Sequence, residues 1–146
     1  MALRSILVSL SFWAMWSVCL PASGEPTAEE VRAASAAGAY ATATAYLYAL
    51  NTSECSYTVR LKAPDLGGFL IKEILPSFSR SSGNELSGAA LKMWPEWTAE
   101  GRSFINSVVQ DGRKDKNSAC GYAAGVIVER YQRAKYGWIA AKRDLK

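Results

Sequence analysis

The sequence predicts an all-α fold, a small up-down bundle of about four helices whose first and last members are joined by a disulfide. Three observations carry this prediction. Small and apolar residues recur at steps of three and four through two long segments, 31–48 and 120–141. Cys55 lies just beyond the first segment and Cys120 opens the second. Strand-like alternation is confined to Tyr57–Lys62, which has no second strand to pair with.

The chain of 146 residues opens with Arg4 and an apolar run from Ile6 to Leu20, the charge-then-hydrophobe plan of a secretory signal. Pro21 stops a helix there. Ala22 and Gly24 place small residues three and one before a cut ahead of Glu25, so residues 1–24 are expected to be removed near Gly24. An uncleaved anchor would need about 20 apolar residues to span a bilayer, and this run is short. Acylation at Cys19 is disfavoured by the bulky Trp16 and Val18 before it. The expected address is periplasmic or secreted. Residues 25–146 then form a single helical domain, of a size that can bury a modest core.

After such a cut two cysteines remain, and in an oxidising compartment an isolated pair is expected to form a structural bridge between Cys55 and Cys120. Neither belongs to a Cys-x-x-Cys redox motif. Loss of Arg4 leaves 16 basic against 13 acidic residues. The distribution is uneven: Arg113–Lys146 carries nine basic and three acidic residues, whereas Glu25–Gly112 carries seven and ten. The C-terminal part is therefore a basic pole, suited to an acidic partner or an anionic envelope surface. Nucleic acid is an improbable target for an exported chain with no recognisable binding module.

Each element has its own local warrant. Thr27 and Glu30 have capping-box spacing, so the first helix begins there, and Val31, Ala34, Gly38, Ala41, Ala45 and Tyr48 form one narrow stripe along it. Of Tyr40, Tyr46 and Tyr48 at least one is expected to face solvent. Asn51-Thr52-Ser53 fits a glycosylation sequon. Tyr57–Lys62 reads as an extended connection. Leu66, Phe69, Leu70, Ile74 and Leu75 predict a short second helix that Pro76 ends.

Ser77–Asn84 reads as a polar link, and Asn84 as the cap of a brief stretch through Leu86, Ala90, Met93 and Trp94. Pro95 is expected to reset the chain before a third substantial helix over 96–110, marked by Trp97, Gly101, Phe104 and Val108 and broadened by Ile105 and Val109. Asn117 or Ser118 would cap the last helix, whose stripe is Cys120, Ala124, Ile127, Tyr131, Ala134, Trp138 and Ala141. Gly121 and Gly125 are expected to let its backbone approach the Ala-rich first helix.

Chemistry is marked chiefly by what the chain omits. It contains no histidine, which removes Ser-His and Cys-His catalysis and His-based zinc sites. No phosphate-binding glycine loop, Gly-x-Ser-x-Gly elbow or calcium loop is present. No catalytic, metal or cofactor residue is assigned. Glu96 and Glu100, four residues apart, are the best carboxylate pair for an enzyme acting on cell-wall glycan. Trp94 and Trp97 about Pro95, with Arg130, Arg133 and Lys135 on the last helix, are the candidate binding surface.

The segment Cys120-Gly121-Tyr122-Ala123-Ala124-Gly125 resembles the Cys-x-Gly-Tyr-x-x-Gly helix of periplasmic immunity proteins that inhibit type VI secretion amidases, although here the cysteine directly abuts the glycine. What that resemblance implies is an exported inhibitor. A compact exported domain without a catalytic signature makes the expected function an exported helical binding or accessory protein with a protein as its partner, and the resemblance adds weight to an inhibitor or immunity type. The alternatives are a carboxylate-dependent envelope enzyme and a structural envelope protein docking on anionic surfaces through its basic helix.

Overall fold

Ala28–Asn51 form α1, which starts where the capping box predicts: the Thr27 hydroxyl accepts from the Glu30 amide and the Glu30 carboxylate accepts from the Thr27 amide. The computed structural model describes residues 25–112 and 115–145, so the expected leader lies outside the described residues. Beyond α1 come a 3-10 turn (Ser56–Thr58), α2 (Leu66–Phe69) running on into a π turn (Leu70–Ile74), α3 (Arg80–Asp111) and α4 (Lys116–Asp144). Among the described residues the fold is all-helical, and no helix is long and apolar enough to cross a membrane.

The register of α1 against α4 is fixed at one end by a covalent bond and marked at the other by an ion pair. Cys55, just past the end of α1, is bonded to Cys120 at the start of α4. At the opposite end Arg32 meets Asp144 at 3.5 Å. The two helices are therefore antiparallel. A turn at Gly112 brings the end of α3 beside the start of α4, so α3 runs parallel to α1. The chain goes up α1, returns through the extended segment and α2, rises again along α3 and descends along α4.

α1 is the centre of the molecule, which corrects the narrow stripe expected of it. Ala33, Ala37, Ala41, Ala43, Thr44, Leu47 and Leu50 are all buried, because α2, α3 and α4 surround this helix. Tyr40 is buried and Tyr46 and Tyr48 are half-buried, so none of the three is fully presented to solvent. The Tyr40 hydroxyl lies 3.2 Å from that of Tyr131, and its ring meets Phe69 edge-on. Burial, followed by the bond to Tyr131, pushes the Tyr40 phenol far above its ordinary range.

The close helix approach is also not where the glycines of α4 suggest. Gly121 and Gly125 face solvent, with open space where a side chain would stand. The intimate contact is instead at Gly101 of α3, where an added Cβ would sit 3.1 Å from both the Ala49 Cβ and the Tyr46 Cα.

α2 begins at Asp65, whose carboxylate accepts from the Gly68 amide, and widens into a π turn closed by the Leu75 amide donating to the Leu70 carbonyl. The added residue keeps Phe69, Leu70 and Ile74 all directed inward. It also leaves Glu73 aimed at α4, where its carboxylate accepts from Trp138 Nε1 at 2.8 Å and Lys142 Nζ at 3.2 Å. Phe78 stacks on the Trp138 ring, so α2 is clasped to the last turns of α4 by polar and aromatic contacts together.

Two further expectations are corrected here. α3 is one continuous helix of 32 residues capped by Ser79, and Pro95 lies inside it rather than dividing it. The reason is position: Leu91, Lys92, Pro95 and Glu96 all face solvent, so the Leu91 carbonyl that loses its donor can be hydrated while Ala90 and Trp97 stay buried on either side. Pro95→Ala is therefore expected to restore the missing bond and stabilise the fold by about 1–2 kcal/mol, checked by chemical denaturation. The cap of α4 is Asp115, which accepts from the Ser118 amide at 3.1 Å, while the Asn117 side chain is taken by the Tyr57 hydroxyl.

Candidate functional site

The predicted surface residues are distributed by the fold over several faces. Trp97 is 1% exposed and belongs to the core, so it offers nothing to a partner. Trp94, one turn earlier, is half-buried with its ring 6.1 Å from that of Tyr48 in the α1–α3 groove. The Trp94/Trp97 corner is thus a packing feature in which only Trp94 reaches the edge.

Arg130, Arg133 and Lys135 are all exposed, but a rotation of about 100° per residue puts Lys135 on nearly the opposite side of α4 from Arg133. Arg133 is held by Glu129 at 2.6 Å on the same helix. Arg130 lies 4.4 Å over the Tyr46 ring, a cation–π contact. The Tyr46 hydroxyl in turn donates to Glu100 at 3.2 Å, linking α4, α1 and α3 through three side chains. Burial is the main reason the Tyr46 phenol is pushed up; Arg130 acts in the opposite sense.

This arrangement also bears on the carboxylate pair. Glu100 is engaged by Tyr46, whereas Glu96 stands in solvent beside Pro95. The open hollow along α3, lined by Ala99, Arg102, Ser103, Asn106, Ser107 and Gln110, contains neither glutamate. Asn51 is similarly committed: its amide nitrogen donates to the Leu61 carbonyl and its oxygen accepts from the Ala63 amide. A glycan on that nitrogen would break the contact that turns the chain back after α1.

The basic pole is reduced by pairing within the molecule. Lys142 is bound to Glu73 and Lys116 pairs with Glu54, whereas Arg32 of α1 neutralises Asp144, one of the pole's own acidic residues. Among the described residues no group of three or more Cys, Asp or Glu side chains is placed to share a metal ion.

What sequence reasoning missed is the outward face of α4. Tyr122 is 64% and Tyr136 70% exposed, and Val126 and Ile139 are also open to solvent. Their signal was present in the spacing: positions 122, 126, 129, 133, 136 and 140 repeat at steps of four and three, directly opposite the buried stripe. These side chains stand on a helix that core packing and the disulfide hold fixed. Chemically the face combines aromatic surface with one guanidinium, Arg133, and one carboxylate, Glu129, the groups of a recognition surface rather than of a reaction centre.

The fold and site thus define a four-helix, disulfide-closed all-α protein with an aromatic and basic outer face. No protein-family model, curated protein or solved structure matches the chain.

Proposed function

We propose that the chain is an exported helical binding protein, an accessory or inhibitor-type factor that engages a protein partner through the outward face of α4. The observation that supports this reading is the pair of largely exposed tyrosines, Tyr122 and Tyr136, on one rigid helix with Arg130 and Arg133 between them. Tyrosine and arginine dominate the energetics of protein interfaces, because each buries a large area while keeping a polar end that can be satisfied. A tyrosine left open on a helix that already has a full core on its other side contributes little to folding. Its area is open to a partner that meets this face.

The test uses tagged wild-type protein and the variant Y122A/Y136A, each presented in oxidised form to a native envelope or secreted fraction. Both positions are exposed, so the variant should fold with nearly unchanged stability, within about 1 kcal/mol. A stoichiometric protein retained by the wild type should bind the variant at least about 30-fold more weakly, the loss expected of one interface hot spot. Equal retention by wild type and variant would remove α4 as the binding face.

A further inference from the structure

The outer face of α4 has an internal symmetry that points to its occupant. Glu129 and Arg133 lie two residues before and two after position 131. Val126 and Tyr136 are each five away, Gly125 and Gly137 six, and Tyr122 and Ala140 nine. All eight are exposed, and none is drawn into the core. In three of the pairs the members differ in the sense that lets one fit the other, negative against positive or small against large, and the fourth pair is glycine at both positions.

We propose that this face pairs two copies of the chain, with the two α4 helices antiparallel about a twofold axis level with position 131; the proposal deepens the protein-binding reading and rests on it. A twofold contact brings the same patch from both copies together, so every interaction occurs twice. In the antiparallel arrangement Glu129 of each copy faces Arg133 of the other. Tyr136 lies across Val126, beside the gap left by Gly125, and Tyr122 lies over Ala140. Gly125 and Gly137 have open space where a Cβ would stand, so they put no side chain between the two backbones.

Charge decides the orientation. A parallel pair would set Glu129 beside Glu129, Arg133 beside Arg133 and the two Tyr136 rings against each other. Like charges so placed repel, whereas the antiparallel pair turns each Glu129–Arg133 bridge into a four-membered network. The same features argue for a second copy over an unrelated partner, since a hetero-partner imposes no reason for the face to match itself about one point.

The experiment is analytical ultracentrifugation of the oxidised protein over a wide concentration range, with three variants. Glu129 and Arg133 side chains are 70% and 80% exposed, so E129R, R133E and E129R/R133E should fold like the wild type, as circular dichroism will verify. Wild type is expected to dimerise, and each single variant to dimerise at least about 100-fold more weakly, because both symmetry-related contacts become repulsive. Mixing E129R with R133E should restore a heterodimer, and the double variant, with its charges exchanged, should pair again by itself. Wild type that stays monomeric, or single variants that dimerise as well as wild type, would overturn the proposal. If wild type is monomeric yet a captured protein is still lost by Y122A/Y136A, only the second copy is wrong; if that capture also survives, the binding face itself is wrong.

Discussion

Reducing the Cys55–Cys120 bridge is expected to lower the melting temperature by about 15 °C. The two cysteines are 65 positions apart, and opening a loop of that length releases chain entropy in the unfolded state worth about 4 kcal/mol. For a helical domain of this size each kcal/mol corresponds to roughly 3–5 °C. Among the described residues, the other side-chain links at that end, the Glu54–Lys116 ion pair and the Tyr57–Asn117 hydrogen bond, are exposed and contribute little. Both cysteines are fully buried, so reductant should reach them only through local opening, and reduction under native conditions should be slow. The check is a thermal melt with and without reductant, alongside C55A/C120A. A fall of only a few degrees in both would mean that packing of α1 on α4 already constrains the unfolded chain as the bridge does.

How much of this was legible in the sequence depended on whether the signal was local. The Thr27/Glu30 capping box requires only a few consecutive residues, and α1 begins there. The stripe of α4 is regular over 22 residues and faces one neighbourhood, so its buried side was readable as far as Ala141. The disulfide was readable because the cysteine pair coincided with the ends of those two helices. The antiparallel relation of the first and last helices followed from these points, and the helices between them from the apolar spacing at 66–75 and 96–110.

The misreadings share a different cause, since each turned on which neighbour lay on which side. Pro95 breaks a helix by a local rule, yet here it points to water while the residues before and after it are held by the core. Gly121 and Gly125 look like packing glycines until α4 is rotated by its own stripe, which places them outside; Gly101, embedded in the stripe of α3, is the one that meets α1. The burial of α1 on nearly every side was hidden because alanine is compatible with either a surface or a core, and only the presence of three neighbours decides it. Among the surface candidates, Arg130, Arg133 and Lys135 all lie exposed, but the link of Arg130 through Tyr46 to Glu100 joins positions on three helices and has no sequence signature.

Trp97 is the residue at which these two readings of the chain diverge most, and its replacement should carry the largest cost of any single substitution. With 1% of its surface exposed, Trp97→Ala removes a whole indole from the core and leaves a cavity that the long, continuous α3 cannot collapse to fill; the expected destabilisation is about 3–5 kcal/mol. Trp94→Ala, by comparison, removes a half-buried ring that tilts against Tyr48 at the groove edge and should cost about 1–2 kcal/mol. Urea denaturation of the two variants gives the comparison directly through their midpoints. Because Trp97 has no surface to offer, its variant should keep the wild type's affinity for any partner once measured on the folded fraction, whereas Y122A/Y136A should keep the wild type's midpoint and lose affinity. A Trp97→Ala protein as stable as wild type but deficient in binding would reverse that assignment, since it would require the indole to leave the core and meet the partner.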